Sequence, residues 1–196
     1  YGNKIITTGE GGMCITNNEE LAEKMRLLRD HGMSKHRRYW HEIIGFNYRM
    51  TNLQAAIGVA QLKKLDEFIE KKRQIAKWYA KELKELEEKG LIKLHPEMLW
   101  AKCVYWMYSI LIEDKIKISR DTLMKRLEEK GIETRPFFVP MHLLPMYSGS
   151  EKLPVAEELA RKGLNLPSSV KIEKDSIKHI CLMIRNLNLN FKREFS

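Results

Sequence analysis

The sequence predicts an α/β fold. Stretches with apolar residues at helical spacing alternate with short β-branched or aromatic runs, and Gly or Pro stands at most of the junctions. With 196 residues, 43% of them hydrophobic and 31% charged, the chain can bury a real core and is expected to form one or two globular domains. No apolar run approaches the roughly 20 residues needed to span a bilayer, so no membrane partner is expected.

The chain opens on Tyr1-Gly-Asn-Lys-Ile-Ile-Thr-Thr-Gly-Glu-Gly-Gly12. Glycines at 9, 11 and 12 let the backbone turn sharply and approach another group closely. Lys4 beside such a turn is a candidate amine nucleophile. A lysine shielded from bulk water loses its proton more easily and can form a Schiff base. Spacing alone favours a solvated surface lysine. Met13-Cys-Ile-Thr16 reads as a buried strand. Asn18 then caps a helix through Asp30, with Leu21, Met25 and Leu28 on one face and Gly32 as its stop.

Residues 31–50 have no clean period. This stretch is basic, aromatic and punctuated by glycine, and a loop of that length is usually functional when it is not disordered. Its cations could hold phosphates; the blander reading is a basic surface loop packed by its own aromatics. Thr51 with Gln54 makes a capping box for one long helix to about Lys89, stopped by Gly90. The pairs Glu67–Lys71 and Glu70–Gln74 suit solvated helix faces.

Leu91–Leu94 and Val104–Ile112 read as strands. Ser119 caps a helix to Lys130, ended by Gly131, and Ile132–Arg135 is a strand stopped by Pro136. Residues 135–147, with prolines at 136, 140 and 145, form a rigid segment. In it, Arg135, His142 and Tyr147 are polar groups set in an apolar frame, as in many small-molecule sites; a packed connector is the plainer alternative. Pro154 starts a helix to Arg161 or Lys162, Leu164-Asn-Leu-Pro-Ser168 reads as a turn, and Asp175–Leu187 is a last amphipathic helix before a polar end, 188–196.

The three cysteines, Cys14, Cys103 and Cys181, have no metal-type spacing and are expected to be reduced, buried and structural. That suggests a cytoplasmic protein. The net charge of +9 suits a phosphate-rich small substrate as well as a nucleic acid. Mixing of Lys and Arg with Glu along the helices argues against nucleic-acid reading.

The run N-K-x-x-T-T-G-E-G-G-M falls on Asn3, Lys4, Thr7 to Gly12 and Met13. It resembles the lysine segment of the DegT/DnrJ-type sugar-nucleotide aminotransferases, fold-type I enzymes that use pyridoxal 5'-phosphate (PLP). G-F-N-Y-R-M-T resembles that family's G-x-N-x-R-M-T signature, and T-R-P-x-F-x-P-x-H-x-x-P-x-Y resembles its segment at the active-site mouth. The resemblance implies that Lys4 is catalytic and holds PLP. It implies that Asn47 reaches the PLP phosphate of the partner subunit in a homodimer. It also places Arg49, Arg135 and His142 at phosphate or substrate, with Phe137 as packing. Trp40 and His41 lie in the loop near the sugar nucleotide in relatives, without a defined role.

The same resemblance implies an α/β chain made of the end of the large PLP-binding domain (1–70), a long linking helix, and a small α+β domain within 71–196. The chain corresponds to the C-terminal half of such an enzyme. It begins three residues ahead of the lysine, with Tyr1 rather than Met, whereas family members carry a large cofactor-binding segment before it. On its own, a chain of this extent is expected neither to hold PLP tightly nor to catalyse. Glutamate is the implied amino donor and a nucleotide-linked 4-keto-6-deoxy sugar the acceptor, for glycan biosynthesis. The segments quoted are most similar to the GDP-perosamine synthase subgroup, with uridine- and thymidine-linked sugars as near alternatives. A catalytically silent module that only dimerises through the 31–50 loop and the long helix is the second expectation.

Overall fold

A computed structural model describes residues 1–147, 149 and 151–189. The chain divides into two compact units, Tyr1–Asp66 and a second that begins at Glu67.

In the first unit, helix α1 (Glu19–Arg29) starts where Asn18 accepts the Leu21 N–H at 2.9 Å and ends at Asp30. Helix α2 (Asn52–Leu62) carries the expected capping box between Thr51 and Gln54. Neither helix has a buried residue. The expected strand over 13–16 does not form. Met13 is 87% and Ile15 88% exposed, and among the described residues no neighbouring strand supplies a ladder. Loop 31–50 is drawn together by single bridges, Asp30 to Asn47 and Met33 to His41.

The single helix expected over 51–89 is two helices. After α2, Lys63 and Lys64 close a tight turn, and α3 runs Leu65–Glu88. Neither Pro nor Gly marks this break, so the composition gave no sign of it. Gly90, at φ 66°, ends α3 as expected.

The second unit is built on a four-stranded antiparallel sheet of order β1-β2-β4-β3. Its strands are β1 (Ile92–Lys93), β2 (Tyr108–Ile112), β3 (Arg135–Pro136) and β4 (Gly163–Leu166). Helices α4 (Arg120–Glu128), α5 (Pro154–Lys162) and α6 (Lys174–Leu189) complete it. Two expectations change here. Residues 164–166 of the supposed turn lie, with Gly163, in a fully buried central strand, β4. Pro136 lies inside β3 rather than after it, tolerated because β3 is an edge strand. Of the polar end read over 188–196, residues 188 and 189 belong to α6, and 190–196 lie outside the described residues.

All buried apolar core residues among those described belong to this unit. Tyr79 of α3 and Tyr108 of β2 stack at 4.7 Å, and Leu83, Ile110, Leu123, Leu127, Leu164, Ile177 and Ile184 are essentially inaccessible. Each such side chain contributes about 1.5–3 kcal/mol relative to exposure. The Tyr79 hydroxyl donates to the Pro167 carbonyl at 2.7 Å, satisfying its one polar atom. Buried Lys162 is neutralised by Glu113, Asp114 and Glu158 at 2.9–3.1 Å.

Candidate active site

The lysine segment is an irregular, hydrogen-bonded turn. Gly9 has φ 84°, a left-handed conformation that favours glycine, and its N–H donates to the Thr7 Oγ1 at 3.0 Å. The Thr8 hydroxyl donates to the Glu10 carbonyl at 2.8 Å. Two glutamines of α2 hold this turn in place. Gln61 accepts the Thr7 N–H at 2.8 Å, and Gln54 donates to the Glu10 carbonyl at 3.1 Å. Lys4 lies exposed at the start of the segment. Sequence reading missed Gln54 and Gln61 as supports of the lysine turn. Gln54 was recognisable only as half of a capping box.

Asn47 and Arg49 stand in the same unit. The backbone around Asn47 is fixed by flanking bonds: the Phe46 N–H donates to the Leu28 carbonyl at 2.7 Å, and the Tyr48 N–H to the Arg29 carbonyl at 3.0 Å. The Asn47 side chain is exposed. Arg49 Nε lies 3.3 Å from Asp30 Oδ1, close enough for charge attraction but not aligned as a hydrogen bond. The aromatics of the loop do pack within it. Phe46 stacks on Tyr48 at 5.2 Å, and the Arg37 and Arg38 guanidinium groups sit over Trp40 and Tyr39. His41 Nδ1 lies 2.8 Å from the His31 carbonyl oxygen.

Arg135 and His142 belong to the second unit. Arg135 opens β3, where its backbone pairs with Asn165, and its exposed guanidinium lies 3.3 Å from Glu133. Asn165, itself buried, donates to the Pro136 carbonyl at 3.3 Å and accepts from Ser109 at 2.7 Å. It therefore ties the edge strand to the centre of the sheet. A lone Asn between two leucines was the only signal for it. Gly163 lets the Phe137 ring lie directly against the β4 backbone: a Cβ there would meet ring carbons at 2.2–2.4 Å.

The His142 side chain is 8% exposed, with Nε2 3.0 Å from Glu157 Oε1. This partner holds the Glu157 carboxyl below its usual range, helped by the Leu153 N–H at 3.1 Å. Glu157 escaped sequence reading because it lies 15 residues away on α5. Tyr147 is 58% exposed. Of the three thiols expected to be buried, Cys181 is buried, Cys103 is half-buried and Cys14 is exposed. Burial pushes the Cys181 thiol up to about 12.

A model of the DegT/DnrJ/EryC1/StrS aminotransferase family matches residues 1–185. The chain belongs to this family. Membership implies pyridoxal 5'-phosphate as the cofactor. GDP-perosamine synthase of Caulobacter vibrioides is 45% identical over 182 residues, covering 92% of this chain and 48% of that protein. GDP-perosamine synthase of Vibrio cholerae is 43% identical over 189 residues, covering 95% and 50%. Among solved structures, PseC of Helicobacter pylori, an aminotransferase involved in pseudaminic acid biosynthesis, superposes with a TM-score of 0.80 at 26% identity, covering 89% of this chain and 48% of that one. The chain thus spans about half the length of the curated relatives it matches. The donor chemistry of the first unit fits the cofactor. Lys4 supplies an accessible primary amine, as a Schiff base requires, and Asn47 an accessible carboxamide, as a phosphate oxygen accepts from. Among the described residues, no helix is long and apolar enough to cross a membrane.

Proposed function

We propose that this chain is the lysine-bearing part of a cytoplasmic, homodimeric sugar-nucleotide aminotransferase. It moves an amino group from glutamate to a nucleotide-linked 4-keto-6-deoxy sugar of the GDP-perosamine type, for glycan biosynthesis. What carries this reading is the 43–45% identity to GDP-perosamine synthases over 92–95% of the chain, within a family match over residues 1–185 that includes the exposed Lys4.

When bound, PLP supplies the electron sink for the reaction. The chain's residues have separate tasks. The Lys4 amine would hold the cofactor and, when free, would carry the proton to and from the donor carbon. Its hydrogen-bonded turn fixes where that amine stands. Asn47 donates from its carboxamide to a phosphate oxygen, across the dimer interface. Arg49 supplies a neighbouring positive charge. The guanidinium of Arg135 orients an anionic group of the substrate, and His142, braced by Glu157, shapes the wall beside it.

The exposure of Met13, Ile15, Ile44 and Leu53, each at least 80%, favours coverage of the first unit by protein surface. A module that only dimerises accounts for that exposure too, and amino transfer separates the two readings. The assay uses saturating PLP, ¹⁵N-glutamate and GDP-4-keto-6-deoxymannose, with product mass as readout. With the cofactor-binding segment that family members carry ahead of this lysine supplied, ¹⁵N in the sugar with the wild-type chain and none with Lys4→Ala is the expected result. Equal incorporation by Lys4→Ala overturns the role of Lys4. Labelling of a uridine- or thymidine-linked sugar in preference overturns the GDP assignment.

A further inference from the structure

Helix α2 turns a polar face inward. Gln54, Gly58 and Gln61 are half-buried, and the other residues of α2 are exposed, Leu53, Ile57, Val59 and Leu62 among them. Steps of four and three put the half-buried residues on one side of the helix. That side carries no large apolar group. What it meets is the lysine turn, whose residues 5–8 are themselves half-buried.

The three residues touch the turn at different points. Gln61 Oε1 accepts the Thr7 N–H at 2.8 Å. Gln54 Nε2 donates to the Glu10 carbonyl at 3.1 Å, which also accepts from the Thr8 hydroxyl at 2.8 Å. A Cβ on Gly58 would stand 3.0 Å from Thr8 Cγ2, so the bare backbone there lets the turn lie against the helix between the two glutamines.

The backbone sets the polarity of both hydrogen bonds. An N–H only donates and a carbonyl only accepts. Position 61 must therefore offer Thr7 an acceptor. Position 54 must offer Glu10 a donor and, with its other atom, serve the helix cap: Gln54 Oε1 accepts the Thr51 N–H at 2.9 Å. A carboxamide does both because it carries an acceptor and a donor group. Gln54 thereby joins the start of α2 to the lysine turn.

Resting on the reading of Lys4 as the amine that holds PLP, we propose that Gln54 and Gln61 are positioning residues for Lys4, a clamp in which residue 61 supplies the acceptor and residue 54 the donor. They act through the backbone. Thr7 lies three residues beyond Lys4, and pinning Thr7 and Glu10 to a helix fixes the path of the chain that carries the amine. One chemical change then has opposite outcomes at the two positions. Gln61→Glu keeps the acceptor, as a carboxylate that takes a charge-assisted bond. Gln54→Glu keeps the cap, which glutamate serves as well as glutamine, but sets a carboxylate oxygen against the Glu10 carbonyl oxygen with no proton between them.

The test compares the full wild-type chain with Gln61→Ala, Gln61→Glu and Gln54→Glu at neutral pH. Amide hydrogen exchange, read without cofactor, follows the Thr7 and Gly9 N–H groups of the turn and the amides of α2. Borohydride reduction at low PLP excess, which traps weakly held cofactor, gives the share of phosphopyridoxyl groups on Lys4 among all lysines by peptide mass. Gln61→Ala is expected to speed exchange in the turn about tenfold and to lower the Lys4 share towards that of the other lysines. Gln61→Glu is expected to return both to wild-type levels. Gln54→Glu is expected to affect the turn and Lys4 as Gln61→Ala does, with exchange in α2 unchanged. The same outcome for Gln54→Glu and Gln61→Glu, faster exchange throughout α2 in Gln54→Glu, or a Lys4 share that stays at the wild-type level in Gln61→Ala and Gln54→Glu overturns the proposal. A wild-type chain whose label shows no preference for Lys4 overturns the reading of Lys4, and the positioning role with it.

Discussion

Replacing Gly163 by alanine tests how the segment bearing Arg135 and His142 is anchored. Gly163 has φ −76° and ψ 132°, a conformation any residue adopts, so backbone strain has no part in the outcome. The cost is steric. A Cβ would stand 2.2 Å from Phe137 Cγ, and ordinary carbon contact begins near 3.5 Å, so the ring must retreat by roughly 1 Å. The ring is half-buried, and its N–H is tied to the Gly163 carbonyl at 3.2 Å, so it cannot move without pulling β3. Overpacking of this kind costs about 1–3 kcal/mol. Taking about 2 kcal/mol, Tm falls by ~4–8 °C for a chain of this length. Denaturant titration of wild type, Gly163→Ala, Phe137→Ala and the double variant gives the coupling directly. In the Phe137→Ala background the clash is absent, so Gly163→Ala costs almost nothing there. A coupling of about 1–3 kcal/mol is expected. Additive effects, or a Gly163→Ala chain within about 0.5 kcal/mol of wild type, refute this packing argument.

Three further outcomes follow from the second unit. Burial pushes the Lys72 ammonium below its ordinary 10.5, although it donates to the Trp106 carbonyl at 2.9 Å. The folded state therefore binds fewer protons than the unfolded state between the lowered value and 10.5. Stability should rise with pH across that window and level off above it, and Lys72→Met should flatten the rise in denaturation series at stepped pH. The Arg161 and Lys162 partners hold the Asp114 carboxyl down to about 2 from its ordinary 3.8. Its contribution is present above 3.8 and lost as pH falls towards 2, a loss that Asp114→Asn removes and that added salt shrinks, as acid titration of the folded signal will read. Tyr79→Phe leaves the Pro167 carbonyl without its donor and should cost about 1 kcal/mol by denaturant titration with an unchanged m-value.

The helices of this chain were largely legible because their ends carry local chemistry. Asn18, Thr51, Ser119 and Pro154 start helices, and Gly90 and Gly131 stop them, as capping rules require. The break at Lys63–Lys64 was not legible, since both residues are good helix formers and tertiary context decides the turn. The sheet was read less well. Strand β4 is short, central and buried on both faces, so it has no alternation to detect, and its Pro-Ser end looked like a turn. The supposed strand at 13–16 failed because apolar content alone does not supply a neighbour. At the candidate site, Lys4, Asn47, Arg49, Arg135 and His142 were marked by motif resemblance. Their supports, Gln61, Asn165 and Glu157, come from distant sequence and become visible only when the chain is folded.

Lys4 is the residue we propose holds PLP. Titrating the chain with PLP, reducing with borohydride and mapping the modified peptides by mass tests this directly. The predicted result is a phosphopyridoxyl group concentrated on Lys4 at low PLP excess, lost in Lys4→Ala without transfer to another lysine. Labelling scattered over the surface lysines with no preference for Lys4, or unchanged labelling in Lys4→Ala, would contradict it.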